Sequence, residues 1–340
     1  MLGERSGEEA PLNDAVTAYR EALTVWTRDG APMAWATTQN NLGNALSVLG
    51  QQSGEEAPLN DAVTAYREAL TVWTRDGAPM DWASAQNNLG NALQTLGRRS
   101  GEEAPLNGAV TAYREALTVW TRDGAPMDWA MVQNNLGTAL QAMGERSGEE
   151  APLNGAVTAF REALTVWTRD GAPMDWAGAQ NNLGNALQTL GRRSGEEAPL
   201  TDAVTAYREA LTVWTRDGAP MDWATTQNNL GTALQTLGQR SGEEAPLNGA
   251  VTAFREALTV WTRDGAPMNW ASAQNNLGNA LQTLGQRSGE EAPLNDAIVA
   301  YRAALEVFEQ AGHRVHADWA RQNLDRAEAI LAHLRTPAPS

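Results

Sequence analysis

The stretch WASAQNNLGNAL, residues 82–93, sets Asn87, Asn88 and Asn91 within one apolar pattern, and lightly varied copies of it occur six times along the chain. An asparagine amide carries an acceptor oxygen and two N–H donors. A row of such amides can pair with both polar groups of a peptide backbone without needing charge, or the amides can pair with one another. Other chemistry is sparse. His313, His316 and His333 are the only histidines, all close to the C-terminus. His313 and His316 at i,i+3 could offer two imidazoles to a metal, but they read as solvated residues of a terminal helix, and no metal is expected. Acidic pairs such as Glu55-Glu56 recur between helical segments, where they suit loop solvation or the positive end of a helix dipole better than acid/base catalysis. Cysteine is absent, which removes disulfides, thiolate ligands and thiol nucleophiles. No glycine-rich phosphate loop or triad order is present. The expectation is a protein that is not an enzyme and carries no cofactor.

Composition narrows the partners. The 340 residues carry a formal charge of −16, and all 25 basic residues are arginine, dispersed among acids. Nucleic acid and anionic membrane surfaces both require clustered positive charge, so neither is an expected partner. The N-terminal MLGERSGEEA lacks a basic segment followed by an apolar run, and no stretch approaches the ~18 apolar residues of a membrane span; a cytoplasmic location is expected.

The elements that position the asparagines follow from a repeat. Ser6, Ser53, Ser100, Ser147, Ser194, Ser241 and Ser288 each open a Ser-Gly-Glu-Glu-Ala-Pro-Leu segment, 47 residues apart. Such a period signals a stack of supersecondary units. In the unit opened by Ser53, Leu59, Ala62, Val63, Tyr66, Ala69, Leu70 and Trp73 recur at three- and four-residue spacing, an amphipathic helix for which Gly77 is a suitable stop. Pro79 then marks the start of another helix, with Asp81 in its first turn and Trp82, Ala85, Leu89, Ala92, Leu93 and Leu96 on one side before Gly97. Each repeat is thus expected to be a pair of helices of roughly 16 to 18 residues. No alternating β pattern occurs, and the punctuation falls between helical segments. Glycine inside a helix costs ~1 kcal/mol relative to alanine, so its return at Gly43, Gly90, Gly137, Gly184, Gly231 and Gly278 implies close approach of another helix, with Ala109, Ala112 and Ala116 as its small side and Tyr113 filling the space between. Thirteen tryptophans fall into two series, Trp26 to Trp261 and Trp35 to Trp319, brought together by short turns and read as a packed aromatic seam rather than a ligand cage.

Gln86-Asn87-Asn88-Leu89-Gly90-Asn91-Ala92-Leu93, then Ala109 with Tyr113 four residues on, and later Pro126, resembles the tetratricopeptide repeat. Gln86 stands where that pattern has tryptophan, and the unit is longer than the ~34 residues of the family, as in the long bacterial and kinesin-light-chain-like variants. The resemblance covers nearly the whole chain. It implies an all-α fold, a right-handed superhelical solenoid of stacked antiparallel helix pairs, read as one array over residues 1–340 with a C-terminal capping helix over 314–335.

The same resemblance implies a site. First helices of the family line a concave surface, and carrying its inward positions over gives Asn40, Asn87, Asn134, Asn181, Asn228 and Asn275, then Asn44, Asn91, Thr138, Asn185, Thr232 and Asn279. Ser47, Gln94, Gln141, Gln188, Gln235 and Gln282 form the next turn. Asn88 is placed beside the packing seam, in a structural role. Packed helices lie ~8 to 10 Å apart, so about three residues of an extended peptide, at ~3.3 Å each, span one repeat. The implied function is a scaffold holding an extended peptide or protein segment; the alternative use of the amides is a structural ladder. Variation among repeats falls at Thr37, Ser84, Met131, Gly178, Thr225 and Ser272, and in the exchange of asparagine for Thr138 and Thr232. Pocket tuning along a peptide, with Met131 as a contact, and simple drift both account for it.

The ends suggest two further readings. Met1-Leu2-Gly3 reads as the tail of a first helix, leaving the helix of Leu12, Ala15, Tyr19 and Ala22 without a preceding partner. An uncovered face of ~300 to 400 Å² would be worth ~8 to 10 kcal/mol at ~25 cal/mol/Å², so upstream residues or a second copy should cover it. Self-association through that helix, or service as a sensor or spacer arm of a larger bacterial regulatory protein, are the alternative functions. At the other end Asp325 replaces the repeat glycine, and Arg321, Arg326, Glu328 and Arg335 make the outer face polar, as a solenoid cap requires.

Overall fold

The structure is a computed structural model that describes residues 2–335, with residues 2–9 described by their backbone alone. Among the described residues there are fourteen helices and no strand. They fall into two compact units, Met1–Thr168 and Arg169–Ser340. The first holds α1 (Leu2–Val25), α2 (Pro32–Ser53), α3 (Ala57–Ala69), α4 (Pro79–Ser100), α5 (Glu103–Ala116), α6 (Pro126–Ser147) and α7 (Glu150–Ala163). The second holds α8 (Pro173–Ser194), α9 (Ala198–Ala210), α10 (Pro220–Ser241), α11 (Glu244–Ala257), α12 (Pro267–Ser288), α13 (Glu291–Gln310) and α14 (Arg314–Arg335). Within each unit consecutive helices pack on one another, and each long, even-numbered helix also touches the next long one.

The two helices of a pair are unequal, contrary to the similar lengths expected. The long helices α2 to α12 have 22 residues each, whereas α3 has 13 and α5 has 14. Two local causes account for this. Gly97 does not end α4: it lies inside the helix, where an added Cβ would stand 2.8 Å from Leu106 Cγ, and the stop comes at Gly101, in the left-handed region with φ 77°, a conformation that glycine adopts without steric cost. Gly77 is likewise not the stop of α3. That helix ends at Ala69, after which Thr71 and Val72 donate their N–H groups three residues back, to Glu68 O and Ala69 O at 3.0 Å each. The Thr71 hydroxyl also donates to Glu68 O, at 2.6 Å, so the carbonyl that would carry the next turn is taken.

Side-chain hydroxyls fix both connections. Thr74 Oγ1 accepts the Gly77 N–H at 3.0 Å in one, and Ser100 Oγ accepts the Glu102 N–H at 3.1 Å in the other. Pro79 at the start of α4 loses nothing by lacking an N–H, because the first turn has no acceptor for it.

The repeat glycine explains the core. An added Cβ at Gly90 would stand 2.5 Å from Tyr113 Cε1, and one at Gly137 would stand 2.7 Å from Phe160 Cε1. Each ring therefore lies flat on the bare backbone of the long helix, and Tyr113, Phe160, Tyr207, Phe254 and Tyr301 are sealed from solvent with Leu59, Leu106, Leu200 and their equivalents. Burying such a ring contributes about 1.5 to 3 kcal/mol, more than the helix propensity the glycine forfeits.

The ends differ from the interior. The break expected near Ser6-Gly7 does not occur: α1 runs unbroken from Leu2 to Val25. In α14, Asp325 holds the place of the repeat glycine, while Ala317, Ala320, Ala327 and Leu331 are buried. Ion pairs tie α14 to α13: Arg302 to Glu328 at 2.5 Å, Arg335 to Glu291 at 2.7 Å, and Arg321 to Glu309.

Candidate functional site

The asparagines of the long helices form two kinds of internal bond. In the first unit Asn88 Nδ2 donates to Asn40 Oδ1, and Asn135 Nδ2 to Asn87 Oδ1, both at 3.2 Å. In the second unit Asn276 donates to Asn228 at 3.2 Å, and Asn323 to Asn275 at 3.1 Å. Asn229 Nδ2 lies between Asn185 Oδ1 at 3.2 Å and Asn181 Oδ1 at 3.4 Å. The second asparagine of the Asn-Asn pairs at 88, 135, 229 and 276, and Asn323 in α14, thus donates to the first asparagine of the preceding long helix. The role given to Asn88 is visible in its bond to Asn40.

The other bond comes from beneath. Tyr66 Oη donates to Asn44 Oδ1 at 2.8 Å, Tyr113 to Asn91 at 2.7 Å, Tyr207 to Asn185 at 2.8 Å and Tyr301 to Asn279 at 2.8 Å. The Tyr113 hydroxyl is also 3.0 Å from Gln94 Oε1, so its single proton is shared between two acceptors. Burial pushes the hydroxyls of Tyr66, Tyr113, Tyr207 and Tyr301 far above the usual tyrosine pKa; Arg98 opposes this at Tyr113 and Arg192 at Tyr207, each less strongly than burial. The rings stay neutral hydrogen-bond donors.

Where the ring is phenylalanine, the partner changes. Phe160 and Phe254 occupy the tyrosine position of their pairs, and Thr138 and Thr232 stand where those pairs would have asparagine. Each threonine turns its hydroxyl onto its own helix, to Asn134 O at 2.9 Å and Asn228 O at 3.0 Å. The Asn/Thr exchange is therefore matched to the ring below it. Spacing could have revealed this: the two residues stand 22 apart in all of these pairs.

Of the remaining expected positions, Asn40, Asn91, Asn181, Asn185, Asn228, Asn275 and Asn279 are half-buried, Asn44 is exposed and Asn87 is 5% exposed. Asn134 is also half-buried. The variable position of Met131 sits near the tryptophan seam, since an added Cβ at its equivalent Gly178 would lie 3.9 Å from Trp214 Cζ2. The interior of the seam is packed, with Trp73, Trp120 and Trp261 buried and their indole N–H groups without a hydrogen-bond partner, while Trp26 and Trp319 are exposed. In the first unit the amide face continues into two clefts on either side of Arg98. One, of ≈ 430 Å³, is lined by Gln51, Gln94, Thr95, Arg98 and Arg99; the other, of ≈ 420 Å³, by Arg98, Ala142, Glu145 and Arg146.

The arginine before four of the Ser-Gly turns performs a task that sequence reasoning missed. Arg99 Nη1 donates to Gly50 O at 2.8 Å and Glu55 O at 2.9 Å, and Arg146 Nη1 to Gly97 O at 3.0 Å and Glu102 O at 2.7 Å. Arg240 and Arg287 do the same in the second unit. Each guanidinium joins its pair to the carbonyls closing the preceding long helix. The signal was present, because arginine fills this position in every repeat except at Gln52.

Chemistry of other kinds finds no constellation. Among the described residues no three metal-ligating side chains come together, and no helix is long and apolar enough to cross a membrane. His313 and His316 meet edge-on with centroids 5.5 Å apart, and His316 also contacts the rings of Phe308 and Trp319.

A family model described as a tetratricopeptide repeat matches residues 82–122, 176–213 and 270–314. Two solved structures share the fold. BtubC (BKLC) from P. vanneervenii is 21% identical with a TM-score of 0.51, the match covering 76% of this chain and 93% of that one. The C-terminal part of a TPR repeat-containing protein from Cytophaga hutchinsonii is 12% identical with a TM-score of 0.52, covering 90% and 95%. No curated protein matches the chain. The matched segments are tetratricopeptide repeats, and they lie in units that the rest of the sequence copies at 47-residue spacing, with a ring on a bare glycine at the heart of each.

Proposed function

We propose that the chain is a protein-binding scaffold that holds an extended peptide segment along the amide-lined face of its long helices. Repeats of this family generally serve protein interaction. The observation that carries the finer reading is the spare capacity of the amides: Asn44 and Asn91 each use an oxygen internally and have no partner for Nδ2. Their nitrogens are not sealed, since no asparagine is among the buried unpaired groups. A polar N–H half out of water is a ready donor for a ligand.

Asparagine-to-aspartate replacement separates this reading from a purely structural ladder. Asn44→Asp and Asn91→Asp keep the oxygen that accepts from tyrosine and remove the donors. Displayed random peptides should be captured by the parent chain and lost by the double variant, with little change in melting temperature. A parent chain that captures none overturns the reading.

A second reading rests on α1. Leu12, Ala15, Tyr19 and Ala22 are half-buried, whereas their counterparts Leu59, Ala62 and Ala69 in α3 are fully covered. Self-association through this face predicts a mass that rises with concentration in sedimentation and a Tyr19→Glu variant that stays monomeric; a parent that is monomeric throughout removes it.

A further inference from the structure

The amide face is polarised, and the polarity says what kind of backbone it can read. In the first unit every oxygen of Asn40, Asn44, Asn87 and Asn91 is already an acceptor, from Asn88, Tyr66, Asn135 and Tyr113 respectively. In the second unit Asn185, Asn228, Asn275 and Asn279 are taken in the same way. One lone pair of each oxygen is thus used, and at Asn185 both are, by Tyr207 and Asn229, whereas each amide brings two N–H donors, so the row has more donor than acceptor capacity left. A ligand that offers acceptors therefore finds more partners on this row than one that offers N–H groups. A peptide has one backbone group of each kind per residue, and proline alone among residues offers the carbonyl without the N–H.

Periodicity points the same way. Adjacent packed helices lie ~8 to 10 Å apart, and the Asn88–Asn40 bond shows that neighbouring long helices are within amide reach. Three residues of a β-strand cover this distance, but a strand alternates with period two, so its carbonyls three residues apart point to opposite sides. A polyproline II segment has three residues per turn and rises ~3.1 Å per residue, so every third carbonyl points the same way at ~9.3 Å intervals. Its backbone makes no internal hydrogen bonds and is already ordered, which lowers the entropy cost of docking.

We propose that the amide face of each unit takes a proline-rich segment in the polyproline II conformation, held by asparagine N–H groups that donate to every third carbonyl. This rests on the peptide-holding reading above and deepens it by naming the backbone conformation and the group that is read.

The test uses the full chain and two probes of about nine residues, a blocked oligoproline and a blocked alanine/serine peptide that keeps every backbone N–H, each titrated by fluorescence anisotropy. Oligoproline should bind at least tenfold more tightly. Its binding should fall at least tenfold in the Asn44→Asp/Asn91→Asp variant, whose fold is checked by its helical circular dichroism and melting. An alanine/serine peptide that binds more tightly than oligoproline overturns this inference and leaves the peptide-holding reading standing. Binding of neither, together with no capture of displayed peptides, overturns both. Oligoproline binding that survives the double variant with the fold intact also overturns the assignment to these donors.

Discussion

Tyr113 gives its hydroxyl proton to Asn91 at 2.7 Å, and the two residues change together along the array: phenylalanine at 160 and 254 is accompanied by threonine at 138 and 232. The pair is a unit of stability. Tyr113→Phe alone leaves the Asn91 oxygen without its donor, whereas Asn91→Thr alone leaves the buried hydroxyl with Gln94 Oε1 as its acceptor. The first should cost about 1 kcal/mol and the second less. The double variant reproduces the natural Phe/Thr combination and should recover most of the loss. A double-mutant cycle by urea denaturation should return a coupling of about 1 kcal/mol; additivity would show that the two changes are independent.

Gly137→Ala should destabilise the array although alanine is the better helix former. The new methyl would meet Phe160 Cε1 at 2.7 Å, and that ring is fully buried. Overpacking of this kind costs about 1 to 3 kcal/mol, against about 1 kcal/mol gained in helix propensity. A melting temperature equal to or above that of the parent would contradict this.

Alkali should unfold the protein through its tyrosines. Burial raises the hydroxyl pKa of Tyr66, Tyr113, Tyr207 and Tyr301 in the folded state, so the folded chain holds these protons after the unfolded chain, near pH ~10, has released them. Their contribution is intact below pH ~10 and falls above it, each group contributing a slope of about 1.4 kcal/mol per pH unit. Denaturant midpoints should therefore be level through neutral pH and drop above pH ~10, and Tyr207→Phe should make the drop shallower.

Arg146→Gln places at an interior joint the residue that Gln52 places naturally. Losing two charge-assisted bonds to Gly97 O and Glu102 O should cost about 1.5 kcal/mol, the low end for bonds to a charged group, because this arginine is exposed. Hydrogen exchange should speed up at the end of α4 and leave the second unit unchanged.

The all-helical pairing was legible because apolar spacing, proline and glycine all mark the same segments. Helix lengths were less so. Gly97 and Gly101 are the same residue type four positions apart, and only packing separates them: Leu106 lies against the first, while the second alone is in the left-handed region. The candidate site was legible as a set of asparagines but not as a set of bonds. Sequence placed Asn87 and Asn91 on one face; it could not say that their oxygens are used by Asn135 and Tyr113, because a hydrogen bond between residues 48 or 22 apart depends on the register of two packed helices. The Phe/Thr exchange could have been read from the sequence, and its meaning became plain only once Phe160 was seen lying on Gly137.

The arginine joints give the array a chemical sense of direction. Each of these guanidinium groups reaches towards the lower-numbered neighbour, as Arg99 does to Gly50 and Arg146 to Gly97, so parting two pairs joined in this way within a unit leaves a charge on one torn surface and bare carbonyls on the other. Fraying in a stack held by nearest-neighbour terms starts where the term is smallest. Among the joints of the first unit that place is the one at Gln52, so this unit should come apart vectorially, peeling from its low-numbered side.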